Sequence, residues 1–293
     1  MHSLHHVEKA PAKINLYLNV TARRTDGFHD IETVMQTIDL FDVLHFSLFP
    51  AEKTEIALTF SSPCDLPTDE RNLIVRAANA FLSAAKKIAK VEILLEKNIP
   101  MSAGLAGGSA DAAATLRALD SMLPDALTKE HLFEIAASLG SDIPFCLLCG
   151  RALCYGRGEI LEPLPAKGEK NFGILVNTEE ESSTPKAYGA LDQIYHNFDG
   201  SVSLPSDLAY RDALAAVRDG NMPPFYNIFE EVVFPLCPRA FEAKALLSSM
   251  GADAVMMSGS GPSVFALTKN EALAEKMQSA LIELGYEARR FSF

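Results

Sequence analysis

The sequence predicts an α+β fold, and three observations carry that prediction. Segments with the two-residue period of strands and segments with the three- to four-residue period of helices recur along the whole chain. They are interleaved without the regular β-α alternation of a doubly wound sheet, and no repeat or low-complexity tract separates them. With 293 residues, 48% hydrophobic and 22% charged, the chain is long enough for a substantial core and is neither disordered nor fibrous. A division near residue 160 is expected, giving domains 1–160 and 161–293.

Strict alternation over residues 13–20 places Ile14, Leu16, Leu18 and Val20 on one face and Lys13, Asn15, Tyr17 and Asn19 on the other, as in a half-buried strand. After a polar turn at 23–27, the β-branched and aromatic segment 31–49 reads as one or two strands. Asn72 caps a helix in which Ile74, Ala77, Ala78, Phe81, Ala85 and Ile88 form an apolar stripe, and a strand follows at 91–95. Residues 100–108 form a glycine-containing loop, 109–122 an alanine-rich helix, and Thr128 caps a helix to 139. Asp142 follows a Gly-Ser break and stands at the mouth of the apolar run 143–148, a buried strand or short helix. A hairpin is expected at 150–161. The second half gives a strand at 173–177, helices at 185–195, 206–218 and 240–250, a strand at 254–257, a helix at 271–284 and a strand at 287–291.

Twenty-six basic residues against thirty-eight acidic ones leave a formal charge of -12, which argues against a nucleic-acid partner. A small phosphorylated ligand is still compatible, since backbone N–H groups, one or two lysines and a divalent cation hold one locally. Five cysteines and no secretory leader point to free thiols and a reducing, cytoplasmic setting. Cys146 and Cys149 have C-x-x-C spacing within an apolar run, but no second pair completes a zinc site, and no metal ligand is assigned. No apolar run approaches the ~20 residues needed to span a bilayer, so no membrane partner is expected.

The strongest local motif is Pro100-Met-Ser-Ala-Gly104-Leu-Ala-Gly107-Gly108-Ser109-Ala110-Asp111, a glycine loop opening into a helix. Glycines admit a ligand close to the backbone, and the unsatisfied N–H groups of a helix start favour an anion such as phosphate. The spacing is neither G-x-x-x-x-G-K-[ST] nor G-x-G-x-x-G. Asp111, in the first helical turn, complements the helix dipole. Lys13 and Asn15 share one strand face, either solvated or turned to a ligand. Asp142 is a helix cap or a carboxylate at a cavity edge. Gly259-Ser-Gly261-Pro-Ser263 is a second glycine loop, and two such loops suggest that two halves close on a charged ligand.

In this order the segments resemble the GHMP kinase superfamily, whose phosphate loop has the pattern of Pro100 to Ser109. Further blocks are similar to the branch acting on a cytidine-diphosphate-linked polyol. They are Pro11-Ala-Lys13-Ile-Asn15-Leu, Asp26-Gly-Phe28-His29, Asn72-Leu73-Ile-Val-Arg-Ala, Gly140-Ser-Asp142-Ile-Pro, Gly156-Arg-Gly158-Glu-Ile, Ser183-Thr184-Pro-Lys-Ala-Tyr188 and Gly259-Ser-Gly-Pro-Ser-Val-Phe265. The resemblance covers residues 9–291.

It implies a two-domain α+β GHMP kinase fold with an N-terminal ATP-binding domain, the active site in the interdomain cleft, and a last strand able to return to the first domain. It also implies transfer of the ATP γ-phosphoryl to a hydroxyl of the methylerythritol unit, in the non-mevalonate route to isoprenoids, with Mg2+ accompanying ATP. The small-molecule substrate is the expected partner of a monomer or homodimer. Lys13 and Asp142 match the catalytic pair. Pro100, Met101, Ser102, Ala103, Gly104, Leu105, Ala106, Gly107, Gly108, Ser109 and Ala110 match the phosphate loop, and Asn72, Leu73 and Lys97 the adenine region. Phe28 and Tyr188 match rings on either face of the cytosine, His29 its base edge, and Asn15 and Thr184 the same pocket. Phe28 stands where tyrosine is common, and Ala103 and Ala106 replace frequent glycines, which requires ordinary φ values at both. The rivals are a GHMP kinase for homoserine, mevalonate or a sugar, which has no reason to keep the 26–29 block, a non-catalytic ligand sensor, and a nicotinamide-dependent oxidoreductase.

Overall fold

The alternation over residues 13–20 belongs to a longer strand, β1 (Leu4–Arg23), in the computed structural model, which describes residues 3–165, 170–195 and 214–293. Every residue from 12 to 20 is buried, which corrects the half-buried strand: the Lys13, Asn15, Tyr17 and Asn19 face is covered as well as the apolar one. Strict alternation has the same form in both cases, because the two-residue period records side-chain direction and not what covers each face.

One strand, β2 (His29–Pro50), follows, and then β3 (Glu55–Phe60), α1 (Leu73–Ala84), β4 (Ala89–Glu96), α2 (Gly107–Met122), α3 (Lys129–Leu139) and α4 (Ile143–Leu148). The chain continues through β5 (Arg151–Tyr155), β6 (Ile160–Pro163), β7 (Phe172–Asn177), α5 (Thr184–Ile194), β8 (Tyr226–Asn227), α6 (Glu230–Val233) and α7 (Pro238–Ser249). It ends with β9 (Ala254–Met257), β10 (Val264–Thr268), α8 (Glu271–Glu283) and β11 (Glu287–Ser292). The helix expected at 206–218 lies mostly outside the described residues; a 3-10 turn, Ala216–Asp219, occupies its far end.

Contacts group the chain into two compact units, Met1–Ala12 with Leu40–Pro100 and Ala106–Cys149, and Lys13–Asp39 with Met101–Leu105 and Gly150–Phe293. In the first unit the far half of β2 pairs antiparallel with β4, and β3 pairs parallel with β4. Helix α1 packs on α2 and α3, and α2 on α4. Ala110, Ala112, Ala113, Ala114 and Ala118 of α2 are fully buried, small side chains that allow close helix packing. Asn72 caps α1 by accepting from the Ile74 N–H, and Thr128 caps α3 by accepting from the His131 N–H, as their residue types predict. The α1 stripe stops early: the helix ends at Ala84, the backbone turns left-handed at Lys86 with φ 52°, and Ile88 is exposed.

The second unit is built on the four-stranded antiparallel sheet β11-β7-β10-β9. Helix α7 covers β9 and β10, and α8 covers β7, β10 and β11. Leu18, Val20 and Ile31 join Ile174, Val176, Phe229, Val264 and Met277 in its core. The β5–β6 hairpin pairs with residues 33–36 of β2, and β8 runs parallel to β1 at Tyr17 and Leu18. All five cysteines are free thiols. Among the described residues no helix is long and apolar enough to cross a membrane.

Candidate active site

The buried polar face of β1 is organised as a donor relay. Lys13 Nζ donates to Asn15 Oδ1 at 2.7 Å, Asn15 Nδ2 donates to Thr33 Oγ1 at 2.8 Å, and Thr33 Oγ1 donates to the Tyr17 carbonyl at 2.5 Å. A lysine and an asparagine that are 4% and 2% exposed are not a solvated strand face. Burying them is costly unless each polar atom is satisfied, so the relay fixes the direction in which the ammonium is carried. The Lys13 N–H also donates to the Leu105 carbonyl at 3.2 Å, tying β1 to the glycine loop.

That loop has left-handed backbone at every second position, Ser102 (φ 52°), Gly104 (φ 74°) and Ala106 (φ 55°), and α2 then starts at Gly107. The ordinary φ expected at Ala106 is therefore corrected, whereas Ala103 is not among the left-handed residues. No side chain caps α2 and its first turn holds no acidic residue, so its leading N–H groups keep the partial positive charge that attracts an anion. The second glycine loop meets the first directly. The Ser258 hydroxyl donates to the Gly104 carbonyl at 3.0 Å, and a Cβ on Gly104 would stand 2.0 Å from the Ser258 carbonyl oxygen.

Lys97 is held in a cluster with Asp111, which the sequence also singled out, and Asp42, which it did not. Its ammonium donates to Asp42 and, at 3.0 Å, to Asp111 Oδ2, while Asp42 Oδ1 accepts from the Asn98 and Ile99 N–H groups at 2.5 and 2.8 Å. A Cβ on Gly107 would lie 2.9 Å from Lys97 Nζ, which places the cluster against the first residue of α2. Asp111 lies beyond the first turn of α2, which corrects its expected place as a complement to the helix dipole: it is 2% exposed, and its Oδ1 has no hydrogen-bond partner. Burial, reinforced by Asp42 and opposed by Lys97, pushes the Asp111 carboxyl up to about 8. Burial works to lower Lys97, but the two carboxylates outweigh it and hold the ammonium above the ordinary lysine range.

Asp142 stands at the N-cap of α4 in the first unit, and its side chain makes no capping hydrogen bond. The structural duty that its position suggested is not performed by the carboxylate. The ring residues lie in the second unit. Tyr188 stacks on His29, with centroids 4.6 Å apart and planes at 23°, and meets the edge of Phe229 at 4.8 Å. Phe28 is 51% exposed, with the Arg157 guanidinium 4.9 Å from its ring centre. Thr184 Oγ1 and Ser260 Oγ share a hydrogen bond of 2.7 Å. His29 Nε2 lies 2.7 Å from Asp192 Oδ1. Asp192 was missed, although it extends the row Thr184, Tyr188 by one more four-residue step along α5.

Residues 72–150 match the family described as GHMP kinases N terminal domain, and residues 211–287 match GHMP kinases C terminal. The chain is 42% identical over 275 residues to the 4-diphosphocytidyl-2-C-methyl-D-erythritol kinase of Exiguobacterium sibiricum, covering 94% of this chain and 93% of that one. Identity to the kinase of the same name from Desulfotalea psychrophila is 41% over 260 residues, covering 88% and 83%. The crystal structure of a 4-(cytidine 5'-diphospho)-2C-methyl-D-erythritol kinase superposes with a TM-score of 0.76 at 34% identity over 98% of each chain. A mevalonate kinase from L. major, in complex with R-mevalonate, reaches a TM-score of 0.74 at 14% identity over 99% of this chain and 96% of that one, a likeness of fold alone.

Proposed function

The chain belongs to the 4-diphosphocytidyl-2-C-methyl-D-erythritol kinase family of the GHMP kinases, and from that premise we propose how its residues divide the work of phosphorylating that alcohol with ATP. It is a small-molecule kinase of the isoprenoid pathway, and the product of transfer is the 2-phosphate with ADP. Phosphoryl transfer asks little covalent chemistry of a protein and much positioning and charge neutralisation.

The observation that carries the assignment is the loop before α2, left-handed at alternate residues and leading to a helix start that no side chain caps. We assign residues 100–110 to the triphosphate, with the N–H groups of residues 103–109 as donors, and Asn72, Leu73 and Lys97 to the adenine end. Asp142 accepts or orients the proton of the substrate hydroxyl, and Lys13 supplies the cation that favours the charged form of a carboxylate and of the transferring group. Asn15, Phe28, His29, Thr184 and Tyr188 receive the cytidine end, a flat base gaining stacking and dispersion from the rings.

Among the described residues no group of three or more His, Cys, Asp or Glu side chains could hold a metal. A Mg2+ accompanying the nucleotide would need few oxygens from the protein. The Ser109 hydroxyl, in the first turn of α2, is one side-chain oxygen this loop would offer, and the cation would neutralise phosphate charge during transfer.

Turnover with the cytidine-linked alcohol, mevalonate and homoserine tests the assignment: the first is phosphorylated, and equal or faster reaction of either other acceptor defeats it. D142N is expected to lower kcat about 10²–10⁴-fold, the usual range for losing a general base, with KM for both substrates within a few-fold. Unchanged turnover in D142N removes Asp142 from the chemistry.

A further inference from the structure

The contact between His29 and Asp192 joins two elements far apart in the chain, the start of β2 and the last turn of α5. Both side chains are sequestered, 7% and 15% exposed, so the contact is largely shielded from water. Helix physics alone does not explain a carboxylate there. The negative end of a helix dipole disfavours an acidic group in the last turn, where a cation would add stability. Arg23 reaches Asp192 Oδ2 only at 3.6 Å from a side chain that is 44% exposed, a contact of the kind that contributes little. The compensating interaction is the one with His29.

A carboxylate only accepts hydrogen bonds, so a His29 Nε2 that is 2.7 Å from it must carry a hydrogen. The ring is pinned in its plane as well, by the stacked face of Tyr188. With Nε2 committed as a donor and the ring face held, the neutral imidazole has Nδ1 as its acceptor and shows one donor and acceptor pattern to whatever it reads. Cytosine and uracil differ at their pairing edge by exchange of a donor for an acceptor, so a ring with a fixed pattern matches one of them and leaves a polar group unpaired against the other.

We propose that Asp192 is a positioning residue that sets the preference for cytosine over uracil by fixing which nitrogen of His29 bears the proton. The inference rests on the assignment of Phe28, His29 and Tyr188 to the base.

Steady-state kinetics with the cytidine-linked substrate and its uridine-linked counterpart, for the wild type, D192N and H29A, test it. Asparagine keeps the size of the side chain but can donate as well as accept, so the tautomer is released. D192N is expected to raise KM for the cytidine-linked substrate about tenfold, to leave kcat within about twofold, and to cut the cytidine-to-uridine ratio of kcat/KM by about tenfold or more. A D192N enzyme with unchanged KM and ratio overturns the proposal. So does one whose thermal midpoint falls while the ratio stands, because that is a structural role only. H29A separates the two levels: if it raises KM while D192N does not, the base pocket survives and the Asp192 inference fails. If H29A leaves KM unchanged in an enzyme that still turns over the substrate, the pocket assignment itself has failed and this inference with it.

Discussion

Ala106 carries a side chain at φ 55° and ψ 32°, a conformation that costs an L-residue roughly 1–2 kcal/mol. Glycine would relieve that strain and lose about 0.5–1 kcal/mol to its greater freedom in the unfolded chain, so A106G is expected to raise stability by up to about 1 kcal/mol in urea unfolding. A lowered midpoint would mean that the methyl group makes contacts worth more than the strain. Asp111 gives a second test. Its folded value of about 8 lies above the ordinary 3.8, so the folded state binds this proton more tightly than the unfolded one. The stabilisation is complete below about 3.8, declines above that as the unfolded carboxyl ionises, and is gone once pH passes about 8. D111N cannot ionise, so its thermal midpoint is expected to improve relative to the wild type between pH 6.5 and pH 9; parallel pH curves would show that Asp111 keeps its charge in the fold. Neither the Asp42 partner of Lys97 nor the Asp192 partner of His29 was legible in sequence, because they lie 55 and 163 positions away and nothing local marks an acidic residue as someone else's counter-ion. Lys13 and Asn15 were legible as a pair, but their burial was not.

Two glycines of one loop separate conformational need from steric need. At Gly104 the φ of +74° disfavours any side chain, and the atom a Cβ would strike is the backbone oxygen of Ser258, which cannot swing aside. At Gly107 the nearest atoms are Lys97 Nζ at 2.9 Å and Ile99 Cγ2 at 3.1 Å, both on side chains, and the residue is helical, where alanine outranks glycine by about 1 kcal/mol. G104A is therefore expected to displace the loop and lower kcat/KM for ATP at least about tenfold, with G107A closer to the wild type, since overpacking against backbone costs about 1–3 kcal/mol or more. Equal losses in the two variants would mean that the contact with Ser258 does not shape the loop. Elements of this kind were readable where chemistry is local: Asn72 and Thr128 announced helix starts, and glycine with alanine announced the loop and α2. What could not be read was distant packing, such as the meeting of the two glycine loops, or the Phe291 ring that lies opposite Gly173 with Cζ 2.2 Å from where a Cβ would be.

Over the whole molecule, the interleaving of periods gave the α+β class without any contact being known, since class follows from the order of elements and not from who touches whom. Net charge is the other property of that scale, and it sets a test of how an anionic substrate is captured. At -12 the chain repels a nucleotide at long range, while the donors assigned to it, the start of α2 and two lysines, act at contact distance. Screening lengths fall from about 30 Å at 0.01 M salt to about 10 Å at 0.1 M, so added salt removes the repulsion first and leaves buried or direct contacts nearly intact. An enzyme that steers its anion with a basic surface loses rate steeply over that range. Here kcat/KM for ATP, measured at fixed Mg2+ in potassium acetate from about 0.01 M to 0.15 M, is expected to hold steady or rise about two- to threefold. A fall of about fivefold or more would mean that a local positive field reaches beyond the site and overrides the acidic whole.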